Sequence, residues 1–480
     1  MKKLLLLFAA ILMASTGMWA ETQTVSYRYP VYNTDGDPAS GIKEWKTSET
    51  EAIVLTTSSS QVTLSEPWYV IIAANVQCVR GIVIHDKVNL ILADGAKLTV
   101  TGDISKAGIQ VSGDDCSLTI YGQDNQSGHL DVTGGNYAAA IGGGKAGSGS
   151  NITINGGAIT ANGGESAAGI GGGFDGYGSN ITINGGAITA TGNTYAAGIG
   201  GGANGNGSNI IINGGKVTAN GGTRAAGIGG GKEGSGSNII INGGTVTANG
   251  GDSDTGIGGG HHGDGHLGDG SNIFIATDLI IKADNNDPPE TVITNTGGDL
   301  ASSLAGNQYV KIDENLPLLR AAAIDEINAA IEGVTDTNVH AIANTAITNI
   351  DKAISKAEIN FIKQKALADI AFAITKLDAI AEITSAGQGI KNAEINNWID
   401  AAINDIKRGS QGATPSIDEI KEQILYIINL FQNGKAEGKA DALGTMGEKQ
   451  NGTVVKVTGK DDMEIILYSP KKVEYIKMNE

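Results

Sequence analysis

Residues 167–192 read AAGIGGGFDGYGSNITINGGAITATG, and close variants of this phrase recur through the middle of the chain. The motif AAGIGGG returns at Ala196 and Ala225, and AAAIGGG precedes it at Ala138. A fixed repeat of this length is typical of architectures in which stacked units share one core. Three apolar columns keep a step of 29 residues: Ile141, Ile170, Ile199, Ile228 and Ile257; Ile154, Ile183, Ile212 and Ile241; Ile159, Ile188, Val217 and Val246.

Each unit of 29 residues contains three short strand patterns separated by glycine-rich turns. Ile152, Thr153 and Ile154 alternate apolar and polar residues, which predicts a strand with one buried face. The NGG and GGG runs between strands tolerate the positive φ angles of tight turns. Three strands per unit predict one coil of a parallel β-helix, with about eight coils over residues 61–281. The NGG asparagines are expected to form a hydrogen-bonded ladder at one corner: Asn155, Asn184, Asn213 and Asn242.

The repeat register is predicted to continue upstream, with more variation in the residue types. Val62, Leu90 and Leu118 are expected to extend the column that contains Ile152. Two longer steps in this column predict loop insertions, one at QDNQSG and one at HHGDGHLGDG. The ends of such a stack expose unpaired strands, so each end is expected to carry a cap.

The composition changes from Gly, Asn and Thr to Ala, Ile, Lys and Asp near Leu318. Isoleucines spaced three and four residues apart, as at Ile324, Ile327 and Ile331, predict amphipathic helices. Short loops between them predict an antiparallel bundle. The strand-like runs VVKVT, EIILYS and KVEYIKM predict a small terminal sheet. The predicted organisation is: signal peptide, 1–20; N-terminal cap, 21–60; parallel β-helix, 61–281; C-terminal cap and linker, 282–317; helical bundle, 318–443; small β tail, 452–480.

The first residues, MKKLLLLFAAILMASTGMWA, are typical of a secretory signal peptide cleaved near Ala20. Lys2 and Lys3 precede an apolar stretch that is too short to span a bilayer. We therefore expect a secreted or cell-surface protein, with the periplasm as an open alternative, and no integral membrane segment. Cys78 and Cys116 fall in different columns of the repeat and are predicted to be separate thiols, with a disulfide between them as the alternative in a secreted protein.

Charge and spacing argue against several function classes. A formal net charge of −18 provides no basic surplus to neutralise phosphates, so no nucleic-acid partner is expected. The glycine runs lack the G-x-x-x-x-G-K-[ST] pattern and do not open a helix, which argues against a dinucleotide site. The strands of the regular coils carry Thr, Ala, Ile and Asn without an acidic pair, so no catalytic residue is assigned.

The insertion HHGDGHLGDG is the most reactive stretch of the sequence. Imidazoles suit zinc-like ions, whereas carboxylates and backbone carbonyls suit calcium. The loop is therefore a candidate divalent-metal site, and an ordinary flexible insertion is the alternative. No other cofactor is expected. The candidate ligands are His261, His262, Asp264, His266 and Asp269.

Two columns of the repeat vary from coil to coil and are expected to face water, because they mix aromatic and charged residues. One column is Tyr137, Ser166, Tyr195, Arg224 and Ser253; the other is Lys145, Phe174, Ala203, Lys232 and His261. Both are predicted to flank the AAGIGGG strand, one at each end. Aromatic faces suit the C–H surfaces of sugars, so four residues are candidate carbohydrate contacts: Tyr137, Tyr195, Phe174 and Tyr177. The alternative is exposed aromatic residues without a role, which are common singly.

The run WYVIIAANVQCVRGIVIHDKVNLILADGAKLTV, followed by SLTIYGQ and the AGIGGG and NITINGG repeats, resembles secreted bacterial carbohydrate-binding-domain-containing repeat proteins. The resemblance covers less than half of the chain, and it implies a right-handed β-helix with glycan contact outside the cell or on its surface. Separately, AAAIDEINAAIEGV and KAEINFIKQKALADI are similar to Ala/Ile-rich helical modules of bacterial surface proteins.

Together these patterns predict a secreted, non-enzymatic surface or extracellular protein. Its β-helix is expected to bind carbohydrate or a cell-surface partner, and its helical bundle to serve as a stalk or docking module. The alternative is a polysaccharide lyase or glycoside hydrolase built on the β-helix.

Overall fold

A computed structural model describes residues 21–432, apart from 35, 112, 114, 252–253, 262–267, 354–355 and 413–414, and four strands between 443 and 476. The predicted signal peptide lies outside the described residues. The chain divides into two compact units between Asn315 and Leu316. The first unit contains the β-helix and the second contains the long helices.

Three sheets build the predicted parallel β-helix, and sheet C contributes one strand to each of the eight expected coils. Sheet A contains Thr22–Thr34, Asp37–Val54, Trp68–Ile71, Lys87–Leu92, Ser117–Gly122, Gly149–Ile154, Gly178–Ile183, Gly207–Ile212, Gly236–Ile241 and Gly270–Ile275. Sheet B contains Val76–Cys78, Lys97–Thr101, His129–Thr133, Ala158–Asn162, Ala187–Thr191, Lys216–Asn220, Thr245–Asn249, Leu279–Asp284, Val292–Ile293 and Tyr309–Glu314. Sheet C contains Val62–Leu64, Ile82–Ile84, Ile109–Gln110, Ile141–Gly142, Ile170–Gly171, Ile199–Gly200, Ile228–Gly229 and Ile257–Gly258.

The 29-residue period is the register of the stack. Ile199 pairs in parallel with Ile170 on one side and with Ile228 on the other. All three side chains are fully buried, and they stack inside the coil as predicted. Burying one isoleucine side chain stabilises a fold by about 1.5–3 kcal/mol. The continuous column therefore supplies a core that no single coil could form alone.

The predicted upstream register is wrong at two of its three positions. Leu118 does pair with Ile152, but its partner on the other side is Val88, while Leu90 pairs with Ile120. Val62 lies in sheet C and pairs with Ile82. The physical reason is that inward residues recur every second position, so a shift of two residues leaves the apolar pattern unchanged.

Both predicted insertions are confirmed by the strand pairing. Leu118 and Ile152 are partners 34 residues apart, whereas Leu130 and Ile159 are again 29 apart, so the extra residues fall at QDNQSG. The second insertion lengthens the step between the paired residues Ile239 and Ile273 to 34.

The predicted asparagine ladder is present at the corner between sheets A and B. The Nδ2 of each asparagine donates to the Oδ1 of its equivalent one coil earlier, at 2.8 Å for Asn184–Asn155, Asn213–Asn184 and Asn242–Asn213. A second, exposed ladder joins five further asparagines at 3.0–3.2 Å: Asn151, Asn180, Asn209, Asn238 and Asn272.

The segment predicted as the N-terminal cap is a long antiparallel hairpin of Thr22–Thr34 and Asp37–Val54. Its last residues, Ile53 and Val54, pair in parallel with Tyr69 and Val70 of the first coil. Near its tip, the carbonyl of Ala39 accepts a hydrogen bond from the Nδ2 of Asn242 at 3.1 Å. The hairpin therefore extends along the flank of the stack as well as starting at its first coil.

An aromatic cluster fixes the base of this hairpin to sheet A. The ring centroid of Tyr27 lies 4.7 Å from that of Trp68 and 4.8 Å from that of Tyr121. Beneath the rings, Val25 of the hairpin packs with Val70 and Ile91 in a small buried cluster. The outer face of sheet A is thus covered at its N-terminal end.

The C-terminal end of the stack departs from parallel pairing. Tyr309–Glu314 inserts antiparallel between Thr245–Asn249 and Leu279–Asp284. Val292–Ile293 pairs antiparallel with Leu279–Asp284, and the short helix α1 (Ala301–Leu304) places the buried Leu304 in the same core. In sheet B, antiparallel neighbours thus replace the next parallel coil.

Five longer helices follow: α2 (Leu316–Ala330), α3 (Thr337–Ile350), α4 (Lys356–Gly387), α5 (Ala393–Arg408) and α6 (Ile417–Gln432). They form two clusters. One buried core contains residues of α2, α3 and the first half of α4, such as Ile327, Ile350 and Ile370. The other joins the second half of α4 to α5 and α6, with Ile383 and Ile406 at its centre. The predicted bundle is therefore two three-helix groups that share α4.

The terminal β segment contains four strands that pair as two antiparallel hairpins: Leu443–Lys449 with Gly452–Val457, and Glu464–Tyr468 with Lys472–Ile476. The last three correspond to the predicted runs, and Leu443–Lys449 was not predicted. Cys78 is buried, Cys116 is half-buried, and both are free thiols, as expected.

Candidate functional site

Each regular coil carries two β-turns on its sheet C side. In one coil the Ala138 N–H donates to the Gly135 carbonyl at 3.0 Å, which leaves Asn136 and Tyr137 at the centre of the first turn. The Gly147 N–H then donates to the Gly144 carbonyl at 2.8 Å and closes the second turn around residues 145–146. These turns project the side chains that vary between coils.

Stacked coils arrange these turns in two columns, which we call the turn face. The first column has the central pairs Asn136-Tyr137, Glu165-Ser166, Thr194-Tyr195 and Thr223-Arg224; the second has Lys145-Ala146, Phe174-Asp175, Ala203-Asn204 and Lys232-Glu233. In both columns the second central residue has a positive φ, between 56° and 72° among Tyr137, Ser166, Tyr195, Arg224, Ala146, Asp175, Asn204 and Glu233.

The two columns flank the strand Ile141–Gly142 and its equivalents, one at each end as predicted, and they also lie side by side. The Phe174 N–H donates to the Tyr137 carbonyl of the previous coil at 2.9 Å, and the Lys232 N–H donates likewise to the Tyr195 carbonyl at 2.8 Å. The sequence between them is folded tightly. A Cβ at Gly143 would lie 1.9 Å from the Gly147 carbonyl oxygen, so only glycine lets the two turns close together.

The turn face brings three of the four predicted aromatic residues to its surface in defined contacts. The rings of Tyr137 and Phe174 meet edge to face with centroids 5.7 Å apart. The Lys145 Nζ lies 4.9 Å from the centroid of Tyr137, and the Lys232 Nζ lies 5.2 Å from that of Tyr195. Such cation–π contacts hold each ring in one orientation.

The fourth predicted aromatic residue, Tyr177, follows the second turn of the next coil, and its side chain is 53% exposed. Its backbone N–H donates a hydrogen bond to the Oγ of Ser148, one coil earlier, at 3.2 Å. Tyr177 is thus fixed at its backbone while its ring is open to solvent.

Two tyrosines of the first column adopt a backbone conformation that bulky residues rarely take. Tyr137 has φ 63° and Tyr195 has φ 72°. Glycine, asparagine and aspartate adopt this region at least cost, and Asp175 and Asn204 do so in the second column. Ser166 and Arg224 share the positive φ in the same column, so the conformation belongs to the turn of the repeat, and the two tyrosines differ from their equivalents in presenting an aromatic ring there.

Of the predicted metal ligands, only His261 and Asp269 lie among the described residues. The His261 N–H donates to the Arg224 carbonyl at 3.1 Å, and the Asp269 carbonyl accepts from the Gly236 N–H at 3.0 Å, so both backbones belong to the stack. His262, Asp264 and His266 lie outside the described residues. Within the described ranges no three His, Cys, Asp or Glu side chains converge as a metal site, and the loop site remains a prediction.

Sequence reasoning missed the N-terminal continuation of the turn face. The Lys106 N–H donates to the Asp103 carbonyl at 2.9 Å, so Ile104 and Ser105 form a turn of the same column, with φ 64° at Ser105. Ser105 precedes Tyr137 by 32 residues rather than 29, which hid the equivalence. A G-D-x-x-K run directly after a sheet B strand was the available signal.

Four segments of the chain match a family model described as a beta helix repeat: residues 152–174, 181–203, 210–232 and 239–261. Each segment begins inside a sheet A strand and ends at the second turn of the next coil. No curated protein and no solved structure matches the chain. None of the helices among the described residues has both the length and the apolar character needed to cross a membrane.

Proposed function

We propose that this protein acts outside the cytoplasm as a non-enzymatic surface or extracellular protein, and that its β-helix binds an extended carbohydrate chain along the turn face. The observation that carries the proposal is the pair of lysine-capped tyrosines, Tyr137 and Tyr195, which occupy equivalent turns two coils apart. The match to a beta helix repeat is compatible with it.

The spacing of these rings supports a linear ligand. Tyr137 and Tyr195 occupy equivalent positions two coils apart, which corresponds to about 10 Å along the stack. This is close to the length of two sugar rings in an extended glycan. Between them lies the buried Ser166, a small residue that leaves room between the two aromatic side chains. An extended polysaccharide can contact an aromatic ring at every second sugar, whereas a compact ligand cannot reach both rings.

The lysines support the same proposal. Each ammonium group lies over its tyrosine ring, and both tyrosines are half-buried, so part of each ring is accessible to the C–H surface of a sugar. Lys145 is exposed and Lys232 is half-buried, so both retain hydrogen-bond donors for sugar hydroxyl or carboxylate oxygens. Phe174 widens the platform at Tyr137, since their rings meet edge to face.

The proposal is tested by glycan-array screening of the full chain, followed by titration calorimetry with the strongest polysaccharide. Tyr137→Ala combined with Tyr195→Ala is expected to reduce affinity at least tenfold, because each ring loses its contact area with a sugar. Phe274→Ala is the matched control, since Phe274 is a 40% exposed aromatic residue on the outer face of sheet A. Equal affinity of parent and double variant would reject this face.

The same polysaccharide tests the enzymatic alternative. Incubation with the parent protein is expected to release no new reducing ends and no unsaturated sugar products. Release of either product at a rate that follows protein concentration would contradict the non-enzymatic part of the proposal while leaving carbohydrate binding in place.

A further inference from the structure

A cavity of about 570 Å³ lies at the N-terminal end of the turn face. Its lining includes Ser60, Arg80, Asp103, Ile104 and Lys106. Asp103, Ile104 and Lys106 belong to the first-column turn that precedes the Tyr137 turn in the stack. The cavity is therefore an extension of the turn face by one further coil.

Backbone hydrogen bonds join this cavity to the aromatic platform. The Gly135 N–H donates to the Lys106 carbonyl at 3.0 Å, and the Lys145 N–H donates to the Ser105 carbonyl at 3.0 Å. Lys145 is the residue that caps Tyr137. One coil step, about 5 Å, thus separates the turn in the cavity wall from the turn that presents the first aromatic ring.

The cavity combines two cations, one carboxylate and an apolar side chain. Ile104 is 79% exposed, which is unusual for an isoleucine that contacts no partner surface. The Arg80 guanidinium lies 3.8 Å from Asp103, too far for a strong hydrogen bond, and its side chain is 63% exposed. Asp103 is held in place because its Oδ1 accepts from the Ile104 N–H at 2.8 Å.

Basic residues are concentrated on this side of the β-helix. Residues 61–281 contain eight Lys and Arg residues and sixteen Asp and Glu residues. Five of the eight basic residues lie on the turn face or in the cavity: Arg80, Lys106, Lys145, Arg224 and Lys232. The same surface carries four acidic residues: Asp103, Glu165, Asp175 and Glu233. Glu233 pairs with Lys232 at 3.1 Å. The turn face and cavity are therefore nearly neutral, whereas the rest of residues 61–281 holds three basic and twelve acidic residues, which makes this the surface that repels an anionic ligand least.

We propose that the cavity is a subsite for a carboxylate-bearing sugar, so that the glycan bound along the turn face is a polyuronate. The inference rests on the proposed function. Arg80 matches the planar carboxylate with its forked N–H donors, Lys106 adds a second positive charge, and Ile104 contacts the apolar face of the sugar ring. The polyuronate chain then continues towards Tyr137 in the next coil.

The experiment titrates the full chain with a polyuronate, with the same polymer after reduction of its carboxyl groups, and with a sulfated polysaccharide. The parent is expected to bind the polyuronate at least tenfold more tightly than the reduced polymer. Arg80→Gln combined with Lys106→Gln is expected to remove this difference, because a hydrogen bond to a charged group typically contributes about tenfold or more in affinity. Binding of the reduced polymer is expected to stay unchanged.

Lys97→Gln combined with Lys216→Gln is the matched control, because it removes two positive charges from one column of sheet B, away from the turn face. If the control variant loses as much polyuronate affinity as the cavity variant, binding depends on overall charge and not on the cavity. That result would overturn the inference. Equal binding of polyuronate and reduced polymer by the parent would also overturn it, yet leave carbohydrate binding intact. Preference for the sulfated polymer would contradict the choice of carboxylate. Failure of every polymer to bind would reject the proposed function as well.

Discussion

Replacing Asn213 with alanine tests how far the asparagine ladder and the hairpin stabilise the β-helix together. The Asn213 side chain donates to the Asn184 Oδ1 at 2.8 Å and to the Pro38 carbonyl at 3.0 Å, and it accepts from the Asn242 Nδ2 at 2.8 Å. Asn213 and Asn184 are buried, so water does not readily replace these partners. With about 1 kcal/mol for each of three bonds, Asn213→Ala should lower the free energy of unfolding by about 3 kcal/mol.

Asn209→Gly provides the matched control in the same coil. Asn209 also takes part in a ladder, with hydrogen bonds of 3.1 Å to Asn180 and from Asn238, but it is exposed. Glycine keeps its φ of 53° without strain. Water can satisfy the remaining groups, so we expect a loss of about 1 kcal/mol or less.

Urea unfolding followed by circular dichroism measures both variants, and tryptophan fluorescence adds a local report. The Trp45 ring packs beside Gly185, where a Cβ would lie 3.3 Å from the ring. With Trp19, Trp68 and Trp398 replaced by phenylalanine in parent and variants alike, the fluorescence follows the hairpin on the ladder corner. In Asn213→Ala the fluorescence transition should move to lower urea together with the dichroism transition. Equal stability losses in Asn213→Ala and Asn209→Gly would refute the reasoning, because burial would then make no difference to the ladder.

Three further outcomes are expected. Ile199→Asp should cost several kcal/mol because it places an unpaired charge in a fully buried column, and melting together with the parent would contradict the register. Burial, with the nearby phenols of Tyr27 and Tyr32, raises the pKa of Tyr121 to about 12. The contribution of the neutral Tyr121 phenol to stability is complete below about pH 10 and is lost as the pH rises through 12. Tyr121→Phe should therefore remove part of the alkaline destabilisation, as measured by urea unfolding at each pH. Tyr195→Asn should weaken glycan binding, by less than the double alanine variant does, without lowering the melting temperature, since asparagine accepts the positive φ more readily. A large drop in stability would show that the tyrosine is a structural residue.

The regular coils could be predicted from sequence because a single physical requirement repeats in them. Each inward position must fit against its equivalent one coil away. The paired residues Ile170 and Ile199 therefore show both which residue type fits the position and how neighbouring coils align. Upstream the same requirement is met by Val, Leu and Ile in varied order, and alternation alone leaves a shift of two residues undetermined. Leu90 was therefore assigned to the partner position that Val88 occupies.

The hairpin could not be predicted as a flank element because nothing local in its sequence records its neighbours. Its contacts span large sequence separations, such as the Asn184 Nδ2 with the Tyr32 hydroxyl at 2.9 Å and the Asn242 Nδ2 with the Ala39 carbonyl at 3.1 Å. The ladder itself offered the signal. An amide nitrogen has two N–H donors, and stacking along the ladder uses one of them, so a buried ladder requires a second acceptor from elsewhere.

The repeated AAGIGGG motif and the variable turns beside it both follow from the close approach of backbones in neighbouring coils. Backbone passes so close to backbone that a Cβ at Gly171 would lie 2.0 Å from the Gly200 carbonyl oxygen, which excludes a side chain at this position of the strand that joins the two turns. Variation is then confined to the central residues of the turns, where Tyr, Ser and Arg alternate without altering the coil. Because the turns are hydrogen-bonded from coil to coil, as between Phe174 and Tyr137, each variable side chain is held at a fixed height on the stack. A rigid row of interchangeable side chains is what recognition of a linear polymer requires, since the spacing comes from the backbone and the chemistry can change one coil at a time.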